Sequence, residues 1–291
     1  MTKVAFISDV HGNAEALEAV LTDICSRAIH RIICLGDVAS YNADQDACFR
    51  ILAENKIEWL AGNHDLMAAG LLQPLECSLK AFYAAMRARR SLSPEWASHI
   101  RRLPLMLTDR EFITFHASPY RVDEYLTTER QLLHAASFIH QNRLPKVAFF
   151  GHTHRNCVFL IENGRAATLP QDEVLLEFGK TYLVNVGTVG EPRDGDQRAA
   201  YTEFDQDTRV VRFHRVGYDY NVSYNKSTNG RWRMPHSYVT KLLTIARLFG
   251  LRLRHEFFPA LSDDPSIEAI RLRVNQSDKR ALTSSKKRTP P

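Results

Sequence analysis

The chain has 291 residues, of which 44% are hydrophobic and 24% are charged, and its formal net charge is +5. This composition is ordinary for a globular protein, and no stretch reaches the ~18 consecutive apolar residues that a membrane-spanning helix needs. The beginning of the chain lacks the apolar core of a secretory signal, and the five cysteines are scattered without a CxxC pair, which argues against a disulfide framework and a thiolate zinc site. We therefore expect a cytoplasmic protein.

The first half of the chain alternates short apolar runs with helical patterns. The runs are typical of strands, and the first helical pattern has an apolar face formed by Leu17, Val20, Leu21 and Ile24. The predicted elements are strands at 3–8, 31–36, 57–62, 111–117 and 146–151, and helices at 13–28, 44–56, within 75–101 and near 128–142. Strands that alternate with helices in this way indicate parallel pairing in a layered α/β domain.

The second half of the chain has antiparallel signals instead. Residues 157–169 predict a hairpin that turns at Asn163 and Gly164. Further strands are predicted at 181–187, 199–205 and 209–216, the last two joined by a tight turn near 205–207. A parallel first half and an antiparallel second half together predict an α/β fold of two packed mixed β-sheets flanked by helices.

The charge is unevenly distributed, and it separates a domain over 1–218 from a basic C-terminal extension over 219–291. Residues 221–291 contain 14 Lys and Arg against 5 Asp and Glu, whereas the rest of the chain is mildly acidic. Nucleic acid or an anionic membrane could use such a tail, but we favour a solvated end that is disordered toward its terminus. An amphipathic helix is predicted at 236–258, and we expect it to pack on its own domain or on a second copy of the chain.

Five predicted strands each end on groups that bind metals or move protons. These groups are Asp9 and His11, Asp37, Asn63 with His64 and Asp65, His116, and His152 with His154. Each has an ordinary alternative when it is taken singly, such as a helix cap, a turn residue or a buried histidine. In open α/β sheets, however, the carboxyl ends of parallel strands gather around one crevice, so we expect these groups to converge.

The two histidines in the segment VAFFGHTH are spaced two residues apart. If the strand geometry continued through them, His152 and His154 would point to the same side of the sheet. The segment alone fits a metal site and a loop with two neighbouring imidazoles equally well. The polar groups at the other four strand ends favour the metal site.

The types of these side chains indicate a pair of metal ions. Carboxylate, imidazole and amide oxygen without thiolate suit manganese, iron, zinc and similar metals. Seven candidate ligands are too many for one catalytic ion that keeps an open position, but they suffice for two ions if one carboxylate bridges them. Two ions ~3.5–4 Å apart stabilise both the attacking and the leaving oxygen in a displacement at phosphorus.

The ordered segments DVHGN, GDVASYNADQDAC, GNHD, FHASP, GHTH and VNVGTVGEPRDGD resemble the calcineurin-like metallophosphoesterase superfamily, in particular its bacterial and archaeal single-domain phosphodiesterase branch. The resemblance covers about residues 3–216. It implies a four-layer αββα sandwich and a centre of two divalent transition-metal ions, which are Mn²⁺, Fe²⁺ or Fe³⁺, Zn²⁺ or Ni²⁺. The resemblance further implies that a water or hydroxide shared by the two ions attacks phosphorus.

The resemblance also implies a role for each strand-end residue. The first ion would be held by Asp9, His11 and His154, the second by Asn63, His116 and His152, with Asp37 between them. His64 would protonate the leaving oxygen or stabilise its charge, and Asp65 would orient the His64 ring. Arg193 would contact a phosphate oxygen, with a surface salt bridge as the alternative.

One segment departs from the pattern of two related branches. Protein phosphatases and dinucleoside-tetraphosphate hydrolases carry GDxxDRG, whereas this chain reads GDVASYN, without the carboxylate that supports the catalytic histidine there. We therefore expect a phosphodiesterase that acts on a cyclic or linear nucleotide or a similar small phosphate ester. The alternatives are a phosphomonoesterase, a nuclease that uses the basic tail, and, less favoured, a non-catalytic protein-binding scaffold; self-association stays open.

Overall fold

Two mixed six-stranded sheets form the centre of the molecule in the computed structural model, which describes residues 3–74, 77–169 and 173–229. The strands are β1 Lys3–Ile7, β2 Arg31–Cys34, β3 Glu58–Trp59, β4 Met106–Thr108, β5 Ile113–Phe115, β6 Val147–Phe150, β7 Cys157–Glu162, β8 Arg165–Leu169, β9 Glu173–Leu175, β10 Thr181–Asn185, β11 Ala199–Asp205 and β12 Val210–Val216. One sheet has the order β3-β2-β1-β11-β12-β9 and the other β4-β5-β6-β10-β7-β8. The predicted fold class is confirmed.

The central strands are apolar on both faces because each face is covered. In β1, Val4 and Phe6 pack toward the second sheet, whereas Ala5 and Ile7 pack toward helices. The Phe6 ring stacks on Phe149 of β6, with ring centroids 3.9 Å apart. Strands buried on both sides read as continuous apolar runs, which explains why the sequence marks them clearly.

Helices cover the outer face of each sheet and complete four layers. They are α1 Ala14–Ser26, α2 Gln45–Glu54, α3 Asn63–Ala68, α4 Leu79–Ser91, α5 Pro94–Ile100, α6 Glu129–Gln141 and α7 Tyr220–Asn229. The predicted face of α1 is buried through Leu17, Val20 and Ile24 against the first sheet, and α6 buries Leu132 and Ile139 against the second. None of the helices in the described ranges is long and apolar enough to cross a membrane.

Helix α7 packs against α1 and the loop before α2. The Lys226 Nζ atom forms an ion pair with Glu15 and lies 2.9 Å from an Asp44 carboxylate oxygen, and the buried Ser227 hydroxyl donates to Asn42 Oδ1 at 3.0 Å. The domain boundary at residue 218 stays a prediction. The predicted helix at 236–258 and the basic end lie outside the described residues.

Candidate metal centre

The polar groups at the strand ends meet at one edge of the molecule. Strands β1, β2 and β3 are parallel neighbours in the first sheet, and β5, β6 and β10 are parallel neighbours in the second. The sheets pack with the carboxyl ends of these strands together. The loops that follow them therefore face each other and bring the candidate ligands of both sheets into one buried site.

Two groups of buried side chains have the geometry of metal sites. Asp9, His11 and His154 form one, and Asp37, His116 and His152 form the other. Within each group the potential ligand atoms lie within 4.8 Å of one another. Each group combines residues from both sheets, so neither exists until the sheets have packed.

Asp37 lies between the two groups, and Asn63 lies beside the second. The Asp37 Oδ2 atom is 3.2 Å from His116 Nε2 and 3.8 Å from His11 Nε2. The Asn63 Oδ1 atom is 3.0 Å from His116 Nε2. All seven residues that the sequence singled out as candidate ligands therefore lie together, with Asp37 between the two groups.

Hydrogen bonds to backbone carbonyls fix which nitrogen of each imidazole faces inward. The Nδ1 atoms of His11, His116 and His154 lie 3.0, 2.8 and 2.5 Å from carbonyl oxygens. A carbonyl only accepts, so Nδ1 carries a proton and, in the neutral ring, Nε2 offers its lone pair. The arrangement is reversed in His152, whose Nε2 lies 3.2 Å from the Asp123 carbonyl. Such second hydrogen bonds are typical of metal-ligating histidines.

The polar atoms at the middle of each group fit a cation. The Asp9 Oδ1 and Asp37 Oδ2 atoms are buried, and each lies against an imidazole nitrogen, His154 Nε2 at 3.1 Å and His116 Nε2 at 3.2 Å respectively. The His11 and His154 Nε2 atoms face each other at 3.2 Å, so their lone pairs repel unless something positive lies near both. Buried carboxylate charge is costly unless positive charge balances it, and a bound divalent ion would provide that balance.

Burial and the two carboxylates set the protonation of the metal-free site. Burial lowers the pKa of His152 to about 3, so its ring is neutral at pH 7. Burial also disfavours the charged form of His116, but the Asp37 carboxylate outweighs it and raises the His116 pKa to about 9. The pKa of Asp37 lies well below its usual range because the neighbouring histidines outweigh burial. Most donors are therefore ready for a metal at neutral pH, whereas His116 must first lose a proton.

The backbone around the candidate ligands has an unusual conformation. Five of the seven candidate ligands have a positive φ in the left-handed region, and these are Asp9, His11, Asp37, His152 and His154. Such conformations cost about 1–3 kcal/mol each in non-glycine residues and cluster at functional sites. The condition under which His152 and His154 would share a side of the sheet is not met. The strand ends at Phe150, so His152 and His154 do not share a side of the sheet; each joins a different group.

Asp65 organises the loops and does not orient the His64 ring. Its carboxylate accepts hydrogen bonds from the backbone N–H groups of Asp37 and Ala39, both at 2.8 Å, and of Gly62 at 3.0 Å. It therefore fastens the loop after β2 to the start of α3. The expectation that Asp65 orients His64 is wrong.

The His64 ring is buried, and its partner is Ser40. The Nδ1 atom lies 3.0 Å from the Ser40 hydroxyl oxygen, and the His64 backbone N–H donates to Asp37 Oδ1 at 2.8 Å. Ser40 was not predicted as a site residue, although it stands at the place where related branches carry a carboxylate. The signal was the position of Ser40 in the segment GDVASYN, where it stands in place of that carboxylate.

A family model described as the calcineurin-like phosphoesterase superfamily domain matches residues 2–208. The chain belongs to this superfamily. It is 30% identical over 234 residues to an uncharacterized protein of Methanocaldococcus jannaschii, covering 78% of this chain and 93% of that protein.

Solved structures agree with the fold. A metallophosphoesterase from Sphaerobacter thermophilus is 29% identical to this chain with a TM-score of 0.68, covering 83% of this chain and 98% of that one. A hypothetical protein from Pyrococcus horikoshii OT3 is 17% identical with a TM-score of 0.64, covering 84% of this chain and 98% of that one, and shows the fold alone. Members of the superfamily typically bind divalent metals, which suits the two ligand groups.

This calcineurin-like phosphoesterase has a cavity of about 850 Å³ beside the ligand groups. Asn63, His64, His116 and His152 line its inner end, and Arg193 lies on its wall. The Arg193 Nη1 atom is 3.4 Å from the Tyr125 hydroxyl, and no carboxylate in the described ranges forms an ion pair with Arg193. The alternative of a surface salt bridge thus finds no partner there.

Proposed function

We propose that the protein is a phosphodiesterase with a dinuclear metal centre. The observation that carries the proposal is the pair of adjacent ligand groups with Asp37 between them, beside a cavity that Asn63, His116 and His152 line. The first ion would be held by Asp9, His11 and His154, and the second by Asn63, His116 and His152. The donor set favours two divalent transition-metal ions such as Mn²⁺, Fe²⁺ or Zn²⁺.

The chain's own residues hold and orient the reacting groups. When bound, the two ions would supply Lewis-acid catalysis, which lowers the pKa of water and neutralises charge at phosphorus. Arg193 faces the same cavity and would hold an ester oxygen through its guanidinium. The tyrosine beside it, Tyr125, would keep that guanidinium in place.

His64 is suited to donate a hydrogen bond from a neutral ring. Burial lowers its pKa to about 4, so the ring is uncharged at pH 7. If Nδ1 accepts from the Ser40 hydroxyl, the proton of the neutral ring sits on Nε2. That N–H would stabilise the charge that develops on the leaving oxygen, which favours charge stabilisation over full proton transfer as the role of His64.

The size of the cavity supports a diester over a monoester. A monoester places one organic group beside the ions, whereas a diester needs room for two, and the cavity lies within the range of pockets that enclose drug-sized ligands. The nuclease alternative depends on the basic tail, which lies outside the described residues. A non-catalytic protein-binding scaffold would not need two complete groups of candidate metal ligands, so these groups do not support that alternative. Cytoplasmic location and self-association stay predictions.

A comparison of two nitrophenyl esters tests the proposal. With Mn²⁺ added, the protein should hydrolyse bis(p-nitrophenyl) phosphate with a higher kcat/KM than p-nitrophenyl phosphate. The Asp37→Asn variant should lose metal and more than about 100-fold in rate, because the bridging position loses its charge. The matched control Asp196→Asn removes a carboxylate from the Arg198 ion pair at the surface and should keep both. Preference for the monoester would overturn the diesterase assignment, and metal-loaded protein inactive on both esters would overturn the whole proposal.

A further inference from the structure

The cavity beside the ligand groups is much larger than a phosphate group requires. Only its inner end is formed by candidate metal ligands and His64. The rest is bounded by α3 and α4, by Leu72, Gln73, Cys77 and Ser78 between these helices, by the segment before β4, and by the loop that follows His116. A ligand held at phosphorus therefore has a further compartment available, which we call the outer compartment.

Apolar side chains dominate the wall of the outer compartment. They are Met67, Leu72, Ala81, Leu105, Met106 and Val122. Leu72, Leu105 and Val122 are each partly buried and pack against the core that lies under the first sheet, which holds them in place. When an apolar group of a ligand covers such a wall, apolar surface is removed from water, and this favours binding.

The charged groups of the wall leave one cation free for a ligand. Lys80 Nζ lies 2.5 Å from a Glu191 carboxylate oxygen. Arg121 Nε lies 3.0 Å from Asp123 Oδ1. Arg193 is the lining cation for which the described ranges supply no carboxylate. A polyphosphate chain would need additional unpaired cations, whereas a single anionic phosphate matches one guanidinium beside the ligand groups.

We infer that the outer compartment binds an uncharged apolar or aromatic arm of a singly charged phosphodiester. This inference rests on the proposed function and narrows its substrate class. The phosphate lies at the ligand groups within reach of Arg193, and one organic arm covers Leu72 and Leu105. Tyr125 stands at the rim, with 44% of its surface exposed and its ring 4.1 Å from the His152 ring centroid, where it would flank a flat group. Nucleoside polyphosphates do not fit this distribution of charge.

Binding of symmetric phosphinates tests the inference without a chemical step. Dimethyl-, dibutyl- and diphenylphosphinate each carry one negative charge and are not hydrolysed, so their affinities for the Mn²⁺-loaded protein can be measured by calorimetry. Dibutylphosphinate should bind about 10- to 50-fold more tightly than dimethylphosphinate, the gain for burying two to three methylene groups. Uridine mono-, di- and triphosphate at constant free Mn²⁺ should show no gain per added phosphate.

Two wall variants and one control locate the effect. Leu105→Ser and, independently, Leu72→Ser should reduce the dibutyl-over-dimethyl gain to less than about threefold and leave the affinity for dimethylphosphinate unchanged. Leu175→Ser alters an exposed leucine on β9, at the far edge of the first sheet, and should keep the full gain.

Equal affinities across the phosphinates, a gain that survives in both wall variants, or tighter binding with each added phosphate would overturn the inference. Protein that hydrolyses the nitrophenyl diester yet shows flat phosphinate affinities retains the proposed function alone, whereas a phosphinate gain without hydrolysis retains the compartment alone.

Discussion

At the scale of single residues, burial assigns different tasks to chemically similar histidines. The His64 ring is neutral at pH 7 and contacts a hydroxyl, whereas the His116 ring faces the Asp37 carboxylate and gains a proton in the metal-free protein. Neither difference follows from residue type. Burial disfavours the charged form of both rings, and only at His116 does an adjacent carboxylate outweigh it.

Replacing His64 tests its role as a donor to the leaving group. His64→Ala should keep two metal ions per chain and lose about 10²- to 10⁴-fold in kcat on diesters with poor leaving groups, with a smaller loss on nitrophenyl esters. Because the ring is neutral, the ratio of wild-type to variant rates should stay constant between pH 6 and 8. His140→Ala, at an exposed helix position, is the matched control. A ratio that falls as pH rises through about 6.5 would show that a protonated imidazole acts instead.

Metal binding should release a proton from His116. The His116 pKa of about 9 means that the ring is protonated at pH 7, and a ligating ring must be neutral. The affinity for the ion in the group of Asp37, His116 and His152 should therefore rise with pH up to about 9 and level off above it. Calorimetry in two buffers of different ionisation enthalpy should report about one proton released at pH 7 and almost none at pH 10. Zero release at pH 7 would contradict this assignment.

The convergence of the candidate ligands could be predicted from the sequence, but their hydrogen-bond partners could not. Carboxylates and imidazoles after apolar runs mark a convergent site because parallel strands end together. The contact between Ser40 and His64 depends on a φ of 84° at Ser40, and the separation of His152 from His154 depends on φ values of 66° and 61°. Left-handed conformations of this kind are uncommon in residues other than glycine, and no local sequence pattern predicts them.

At the scale of elements, the site depends on close approach between loops that belong to different strands. The backbone N–H of Gly190, after β10, donates to the Asp9 carbonyl at 3.0 Å, and the Thr188 hydroxyl donates to the same carbonyl at 2.8 Å. A Cβ atom at Gly190 would overlap the Val10 carbonyl oxygen. Glycine is required there because two backbone segments touch, although its φ is ordinary.

A pair of glycine substitutions tests this approach. Gly190→Ala should lower the free energy of unfolding by about 1–3 kcal/mol and reduce the metal content, because the loop that carries Asp9 must move. Gly217→Ala has no atom within 4 Å of the added carbon and should change stability by less than about 0.5 kcal/mol. Urea denaturation of the metal-free proteins measures the change in the free energy of unfolding for each variant. Equal stability of the two variants would show that the two loops can move apart without lowering the free energy of unfolding.

Elements with strong patterns were predicted, and short edge elements were not. The hairpin at Asn163 and Gly164 and helix α6 appear as expected, because a turn pair and a capping threonine mark them. Strands β4 and β9 have three residues each and were missed. The predicted strand at 57–62 shrinks to Glu58–Trp59, because its last residues lead into α3. Pairing with a neighbouring strand, rather than local pattern, makes these segments strands.

At the scale of the whole molecule, the candidate centre is a product of sheet packing. The first sheet supplies Asp9, His11, Asp37 and Asn63, and the second supplies His116, His152 and His154. Each ligand group takes residues from both, so the apolar layer between the sheets, with Phe6 stacked on Phe149, also holds the ligands in register. The sequence predicted two packed sheets but could not assign strands to them, because β11 at Ala199–Asp205 pairs with β1 at Lys3–Ile7, far away in the chain.

Anomalous X-ray scattering from crystals grown with Mn²⁺ tests the central claim most directly. Two peaks should appear ~3.5–4 Å apart. One should be bounded by Asp9, His11 and His154 and the other by Asn63, His116 and His152, with the Asp37 carboxylate contacting both. A single peak, or peaks that lie away from Asp37, would contradict the account.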